Sequence, residues 1–312
     1  MLLSILLLSA GLLILLWSTR LFVIQAENAS RSLRLSPLII GTTLVAIGTS
    51  MPELAVSVTA AVRGDYGLAL GNIIGSNILN ILLVFSVGLL SGRIRIGTTK
   101  TPRNIFLLLL FTTLFSLQAH SPVSRFPPGL ILLLLAVIFT GLEYFWGLAG
   151  RKKEDRARLQ LKHYPRFKWP PLVFSLATIF VAGYITVIQV ENISLLTGLS
   201  TTFFGLTLTA IATSLPELVT TLFSQNDHQD KLTAGNIIGS NIYNLLLIGG
   251  LVLLLTPRPF VRILPLTDFV FLLLTTLGFC LTLFAHKGRV IPKYFALIFI
   301  LLVPLYLFII YP

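Results

Sequence analysis

Long apolar segments follow one another along almost the whole chain, each bounded by charged residues, proline or glycine. Each segment can cross a hydrocarbon core of about 30 Å. Because backbone N–H and C=O groups in lipid must be satisfied within the segment, each is expected to be an α-helix. The sequence therefore predicts an all-α integral membrane protein with ten transmembrane helices, at about 2–24, 37–61, 68–92, 104–120, 127–149, 170–193, 198–224, 233–256, 264–285 and 292–311.

The composition argues against a soluble protein. Of the 312 residues, 55% are hydrophobic and only 11% are charged, whereas a soluble domain carries roughly 25% charged residues. This balance argues against a secreted domain, a disordered chain or a peripheral enzyme. The lone Cys280 lies in an apolar segment, so a disulfide framework is excluded.

The basic residues are unevenly distributed between the connections of these helices. With the N-terminus outside, 19 of the 23 Lys and Arg lie in cytoplasmic connections and 4 in outer ones. This is the positive-inside bias, so we expect a multi-pass protein of the cell (plasma or inner) membrane with both termini outside. Topology then explains the net charge of +12, and neither a nucleic-acid partner nor an obligatory protein partner is expected. The basic segment 151–168 is expected to be a solvated inside loop; contact with anionic lipid is the alternative.

An internal repeat organises the chain. Residues 71–80 read GNIIGSNILN and residues 235–244 read GNIIGSNIYN, so nine of ten positions match at an offset of 164. The same offset carries 49–53 (TSMPE) onto 213–217 (TSLPE). Five helices fit within the offset, and because five is odd, matched residues enter the membrane from opposite sides. The sequence therefore predicts two inverted five-helix repeats, 1–155 and 156–312, which is typical of secondary transporters with a mid-membrane binding site.

Two carboxylates mark the candidate site. Of the eleven acidic residues, only Glu53 and Glu217 lie at the middle of apolar segments, and the offset of 164 relates them. A charged carboxylate at the bilayer centre costs roughly 2.5–3.5 kcal/mol or more. Keeping two of them at symmetric positions indicates a cation site. The alternative is a pair of protonated, packed glutamates.

Hydroxyl-bearing residues accompany both carboxylates. Thr49 and Ser50 precede Glu53 by four and three residues, so all three share one face of a helix. Pro52 lacks an N–H and should kink that helix, freeing carbonyl oxygens toward a cavity. The alternative is that the hydroxyls bond only their own helix. The second half repeats this pattern with Thr213, Ser214, Pro216 and Glu217.

A polar stripe recurs in the third and eighth helices. One amide or hydroxyl falls every four residues, at Asn72, Ser76 and Asn80 and again at Asn236, Ser240 and Asn244. We expect Ser76, Asn80 and their repeat mates to face the site. Asn72 and Asn236 are expected to hydrogen-bond freed backbone, and polar contacts between helices are the alternative for the whole stripe. The pairs Gly71/Gly75 and Gly235/Gly239 have the spacing that permits close helix approach.

All candidate ligands are oxygens. Ca²⁺ takes six to eight oxygen ligands at about 2.3–2.6 Å, whereas Mg²⁺ demands a smaller octahedron. Neither the cysteine nor any of the four histidines lies near the centre of the pattern, which disfavours Zn²⁺ or Cu⁺ transport. Two carboxylates can hold either one divalent cation or two to three monovalent ones in adjacent pockets, so exchange at one shared site is possible. No cofactor is expected beyond the transported ions.

The motif GTS-x-PE followed by GN-x-x-GSN, present twice, resembles the α-repeats of the sodium/calcium exchanger (cation/Ca²⁺ antiporter) superfamily, above all its compact prokaryotic members. The matching segments are 37–92 and 201–256. The resemblance implies that Glu53 and Glu217 bridge a central Ca²⁺ site. It implies further ligands through hydroxyls or carbonyls of Thr49, Ser50, Thr213 and Ser214, through carbonyls of Ala46 and Ala210, and through Ser76 and Ser240 in flanking Na⁺ pockets.

Two positions depart from the family pattern. Ala212 stands where the motif usually has glycine, a mild change. Asn244 stands where some relatives have aspartate, and an amide of nearly the same shape cannot titrate. The second departure leaves the coupling stoichiometry open.

These observations predict a secondary active antiporter that exchanges Ca²⁺ for Na⁺ by alternating access. A Ca²⁺/H⁺ antiporter that uses the same carboxylates is the first alternative, and a cation channel is a more distant one. We expect no enzyme, because the sequence contains no HExxH, no paired membrane aspartates and no Ser/His dyad.

Overall fold

The computed structural model describes residues 1–32, 46–92, 94, 101–120, 128–149, 169–226, 230–256 and 264–310. In chain order this part contains α1 (Leu2–Ser32), α2 (Ala46–Thr49 and Met51–Val62), α3 (Tyr66–Leu79, Asn80–Phe85 and Ser86–Ser91), α4 (Thr101–His120), α5 (Pro128–Ala149), α6 (Trp169–Thr197), α7 (Thr201–Phe204, Gly205–Thr209, Ala210–Thr213 and Leu215–Asn226), α8 (Asp230–Tyr243, Asn244–Ile248 and Gly249–Leu255), α9 (Leu266–Ala285) and α10 (Tyr294–Ile310).

The helices of this part are of membrane type. Seven of them are long and apolar enough to span a bilayer, and the described chain adds three shorter apolar helices, Met51–Val62, Gly129–Phe145 and Tyr294–Ile310. The prediction of a helical membrane protein is therefore confirmed. The predicted boundary between the halves, at 155 and 156, lies outside the described residues.

Helices α3 and α8 form the centre of the molecule. In each of them, 83% of the apolar window is buried, compared with 28% for α1 and 33% for α6. The helices that carry the polar stripe are thus the ones most enclosed by protein. Their amides and hydroxyls are shielded from lipid, where unsatisfied polar groups would cost several kcal/mol each.

Helices α2 and α7 are both broken at the residue before their Leu/Met-Pro-Glu segment. The backbone at Ser50 has φ −83° and ψ 8°, and the backbone at Ser214 has φ −82° and ψ 3°. Pro52 has no N–H to donate to the carbonyl of Gly48, so the helix cannot continue through this turn unchanged. The kink predicted from the proline is present as a break at this point.

Three stretches within the described residues form wider π-helical turns. Two of them, Asn80–Phe85 in α3 and Asn244–Ile248 in α8, begin at asparagines that the repeat relates. The third, Gly205–Thr209, lies in α7 just before its break. Such turns insert an extra residue into the helical ladder and are frequent at functional sites. They place two of the predicted site residues at points where the regular spacing of a helix changes.

Glycines let α3 and α7 touch backbone to backbone. A Cβ added at Gly71 would lie 2.8 Å from the carbonyl oxygen of Thr202, and one at Gly75 would lie 2.7 Å from that of Leu206. The close approach predicted for this pair is confirmed. At Gly235 no described atom lies within 4 Å of such a Cβ, so the mate of Gly71 has open space in this part of the chain.

Candidate cation site

The two central glutamates are completely buried. Glu53 and Glu217 each have 0% exposed surface. Each lies in the first turn of the helix that follows a break, Met51–Val62 for Glu53 and Leu215–Asn226 for Glu217. The N-terminus of a helix carries partial positive charge, which favours a carboxylate at this position. The breaks in α2 and α7 thus bring two helix N-termini and two carboxylates to the interior.

Crossed hydrogen bonds join the two halves at the glutamates. The hydroxyl of Ser50, in α2, donates to Glu217 Oε1 at 3.3 Å, and that of Ser214, in α7, donates to Glu53 Oε1 at 3.4 Å. The offset of 164 converts one of these contacts into the other. Each glutamate is therefore held by the serine that precedes the glutamate of the opposite half.

Two hydroxyl pairs flank the glutamates. Thr49 Oγ1 lies 3.3 Å from Ser240 Oγ beside Glu217, and Thr213 Oγ1 lies 3.3 Å from Ser76 Oγ beside Glu53. These contacts are also related by the repeat offset. The six hydroxyl-bearing residues of the two motifs thus lie around the carboxylates, and their role as ligands stays a prediction.

Several buried side-chain oxygens of the predicted site residues have no hydrogen-bond partner within the described part of the chain. They are Glu53 Oε2, Glu217 Oε2, Asn80 Oδ1 and Asn244 Oδ1. A buried charge without compensation costs several kcal/mol. A cation bound among these atoms would remove that cost, so the cluster has the character of a binding site rather than of a finished core.

Two asparagines that the sequence analysis did not select join the site. Asn80 Nδ2 donates to Asn241 Oδ1 at 3.0 Å, and Asn241 Nδ2 donates to the backbone carbonyl of Asn77 at 3.2 Å. Asn77 and Asn241 are the repeat-related asparagines of the two GSN triplets, and both are buried. They lie off the every-fourth-residue stripe, which is why the stripe rule passes over them. Their occurrence in both copies of the motif was the available signal.

Asn72, the first residue of the polar stripe in α3, has different partners from those predicted. In the part of the chain that the structure describes, Asn72 binds side chains instead of freed backbone. Its Nδ2 donates to Ser57 Oγ at 3.0 Å, and its Oδ1 accepts from Thr213 Oγ1 at 3.4 Å. The expectation for Asn72 was therefore wrong, because side chains of α2 and α7 take up both the Nδ2 and the Oδ1 of its amide. Asn72 thereby links α2, α3 and α7 next to the site.

The two alanines predicted as carbonyl ligands lie at equivalent turns. Ala210 begins the short helix before the α7 break, and its carbonyl oxygen accepts from the Ser214 N–H at 3.1 Å. The Thr213 hydroxyl donates to the same oxygen at 3.5 Å, so a cation bound at this carbonyl would replace the longer contact. Ala46 begins the corresponding helix Ala46–Thr49 in α2, and its side chain lies outside the described residues.

The donor set is suited to a hard cation. Within the described residues no three His, Cys, Asp or Glu side chains cluster, so the cluster consists of two carboxylates with hydroxyls, amides and carbonyls. Hard divalent ions such as Ca²⁺ prefer such oxygens. A recess beside Ser50, between α2 and α8, is lined by Ile47, Ser50, Met51, Leu54, Tyr243, Leu247 and Ile248. The lining is mostly apolar, so the recess adds little to the ligand set.

The fold and the site define the chain as a helical membrane protein with a repeated motif around a buried, oxygen-rich centre. The family model described as "Sodium/calcium exchanger protein" matches it twice, at residues 3–145 and 169–311. The chain belongs to the sodium/calcium exchanger family. The two matches cover nearly all of both halves, in agreement with the internal repeat.

Individual relatives match most of the chain. CaxA of Alkalimonas amylolytica is 37% identical over 257 residues, which are 79% of this chain and 79% of CaxA. The inner membrane protein YrbG of Escherichia coli (strain K12) is 33% identical over 290 residues, 90% of this chain and 89% of YrbG. The solved structure of the sodium-calcium exchanger NCX_Mj soaked with 10 mM Na⁺ and zero Ca²⁺ is 27% identical, with a TM-score of 0.65 and 97% of both chains covered.

Proposed function

We propose that this protein exchanges Ca²⁺ for Na⁺ across the cell membrane by alternating access at the cluster around Glu53 and Glu217. The observation that carries the proposal is the crossed pair of hydrogen bonds, from Ser50 to Glu217 and from Ser214 to Glu53. They unite the two halves around carboxylates that are wholly buried. A site at the junction of two repeats is where secondary transporters bind their substrates.

Each predicted ligand has a role in this proposal. The carboxylates of Glu53 and Glu217 bridge Ca²⁺, with Asn80 and Asn244 supplying amide oxygens. The hydroxyls or carbonyls of Ser50 and its neighbours complete the shell. The remaining members are Thr49, Thr213 and Ser214, the carbonyls of Ala46 and Ala210, and Ser76 and Ser240 in flanking Na⁺ pockets.

Competition between ions supplies the coupling. Two carboxylates balance the charge of one Ca²⁺ or of two Na⁺ ions, so occupancy by Na⁺ excludes Ca²⁺. Loading the site from one side of the membrane and releasing it on the other then exchanges the two ions. The solved structures of NCX_Mj soaked with Na⁺, Ca²⁺ and Sr²⁺ support this assignment by homology.

The proposed architecture consists of ten membrane-spanning helices, α1 to α10, arranged as two inverted five-helix repeats with both termini outside. The contact between Thr49 and Ser240 and the contact between Thr213 and Ser76 are related by the repeat offset of 164 residues, which supports this arrangement. Two movements could expose the site alternately: the halves could rock about it, or α1 and α6 could slide along it. The low burial of α1 and α6 compared with α3 and α8 favours sliding.

The proposal is tested in proteoliposomes loaded with Na⁺ and diluted into Na⁺-free medium that contains ⁴⁵Ca²⁺. Uptake that requires the outward Na⁺ gradient is expected, and it should collapse when Na⁺ is equal on both sides. Uptake driven by a pH gradient in the absence of Na⁺ would replace the proposal with Ca²⁺/H⁺ antiport. A non-saturable flux accompanied by macroscopic current would replace it with a channel.

A further inference from the structure

The contact between α3 and α8 fixes the direction in which one amide of the site points. Asn80 and Asn241 are 0% and 1% exposed, and Asn80 Nδ2 donates to Asn241 Oδ1 at 3.0 Å. On its other side Asn241 donates through Nδ2 to the backbone carbonyl of Asn77 at 3.2 Å. The three residues form a short hydrogen-bonded chain that ends on a backbone oxygen.

The backbone carbonyl determines the orientation of every amide in this chain. A carbonyl oxygen can only accept, so Asn241 must direct its Nδ2 toward Asn77. Its Oδ1 then faces Asn80, so Asn80 must donate through its own Nδ2. The Oδ1 of Asn80 therefore points away from Asn241, and it has no hydrogen-bond partner in the described part of the chain. A cation can be coordinated by Oδ1 but not by Nδ2.

The opposite half does not make this contact. The repeat offset pairs Asn244 with Asn80 and Asn77 with Asn241. Asn77 instead donates its Nδ2 to the carbonyl of Ile73 in its own helix at 2.8 Å. Neither amide atom of Asn244 has a partner among the described residues. The orienting contact therefore acts on one half of the site only.

We propose that Asn241 is a positioning residue that holds the Oδ1 of Asn80 toward the bound cation. This inference rests on the proposed exchange function and assigns to Asn241 no contact with the ion. Without Asn241 the amide of Asn80 can turn its NH₂ group toward the site, and its buried Nδ2 loses an acceptor. The affinity for Ca²⁺ falls while the rate at saturating Ca²⁺ changes little.

The test is a double-mutant cycle in the Na⁺-driven ⁴⁵Ca²⁺ uptake assay. Asn241→Leu should raise the KM for Ca²⁺ about tenfold in the wild-type background. In an Asn80→Asp background it should raise the KM less than about twofold, because a carboxylate presents an oxygen in either orientation. Asn192→Leu is the matched control: the amide of Asn192 donates to Gln189 of its own helix, α6, and its loss should leave the KM unchanged.

Other results would overturn the inference. An equal rise in KM in both backgrounds would mean that Asn241 acts through packing, and an unchanged KM would mean that it has no part in binding. If Asn241→Leu does not fold, as judged by gel filtration, Asn241→Ala is used in the same cycle with the same expectations. A wild type without Na⁺-dependent uptake would refute the exchange proposal itself, and this inference with it.

Discussion

Replacing Glu53 with glutamine removes one of two charges from the centre of the site while keeping the shape of the side chain. Glu53 is completely buried, so no water screens its interaction with a bound ion. At an effective dielectric constant of about 20 and a separation of about 3 Å, a divalent and a monovalent charge attract by about 11 kcal/mol. The amide oxygen of glutamine still ligates and recovers part of this attraction.

Even a modest residual loss should abolish measurable transport. If one third of the attraction is lost, about 4 kcal/mol, Ca²⁺ affinity falls by about a thousandfold. Uptake of micromolar ⁴⁵Ca²⁺ by Glu53→Gln should then equal that of empty liposomes, and Glu217→Gln should behave alike. Glu191→Gln is the control, because that carboxylate is 25% exposed and pairs with Arg63 away from the site. Uptake by Glu53→Gln at the wild-type rate would refute the reasoning.

Three further predictions follow from the same geometry. Ser50→Ala removes a hydroxyl that donates a hydrogen bond to Glu217. Because a hydrogen bond to a charged group contributes roughly 1.5–3 kcal/mol, this variant should raise the KM for Ca²⁺ by about tenfold in the uptake assay. An unchanged KM would contradict the assigned contact. Gly75→Ala places a Cβ 2.7 Å from the carbonyl oxygen of Leu206 and should lower the midpoint temperature of unfolding. Gly141→Ala is the control and should leave it unchanged, because no described atom lies within 4 Å of the added Cβ. Equal midpoints for the two variants would argue against close packing of α3 on α7. Arg63→Gln should cost less than about 1 kcal/mol of stability because the pair with Glu191 is exposed. The hydrogen bonds that the Arg63 guanidinium donates to Glu191 raise the pKa of the guanidinium, so this contribution should persist through neutral pH and be lost as pH rises through that pKa. A change in the melting temperature of the wild type relative to Arg63→Gln between pH 6 and pH 8 would argue otherwise.

The centre of the site is the part that local rules predict from sequence. Exposing a carboxylate to lipid in the middle of an apolar segment costs free energy, so Glu53 is expected to face the protein interior. A proline one residue earlier removes an N–H at a fixed position, so the break at Ser50 follows from chemistry within one turn. Both statements need only neighbouring residues and the solvent, and the structure agrees with both.

The asparagine network could not be obtained in the same way. The stripe rule selects every fourth residue of one helix, and Asn77 and Asn241 lie off that spacing. Whether Asn241 meets Asn80 also depends on the rotation of α3 against α8. That rotation is set by packing between distant segments, which no local pattern encodes. Asn72, which binds Ser57 instead of backbone, was missed for the same reason.

The ligand roles of the predicted residues remain predictions, as does the division of the chain at 155 and 156. The contacts bring Thr49, Ser50, Ser240 and Glu217 together and do the same for their repeat mates. The coupling ion is a separate question, because Asn244 does not titrate and the two glutamates can in principle carry protons as well as metal ions. The Na⁺ and pH arms of the uptake assay answer it directly.

The central claim is that one cation lies between Glu53 and Glu217, and anomalous diffraction from crystals soaked in Sr²⁺ tests it most directly. The account predicts a strong anomalous peak within coordination distance of both carboxylates, which weakens as Na⁺ in the soak is raised. A peak bound elsewhere, or one between the glutamates that is indifferent to Na⁺, would contradict a shared site for competing ions.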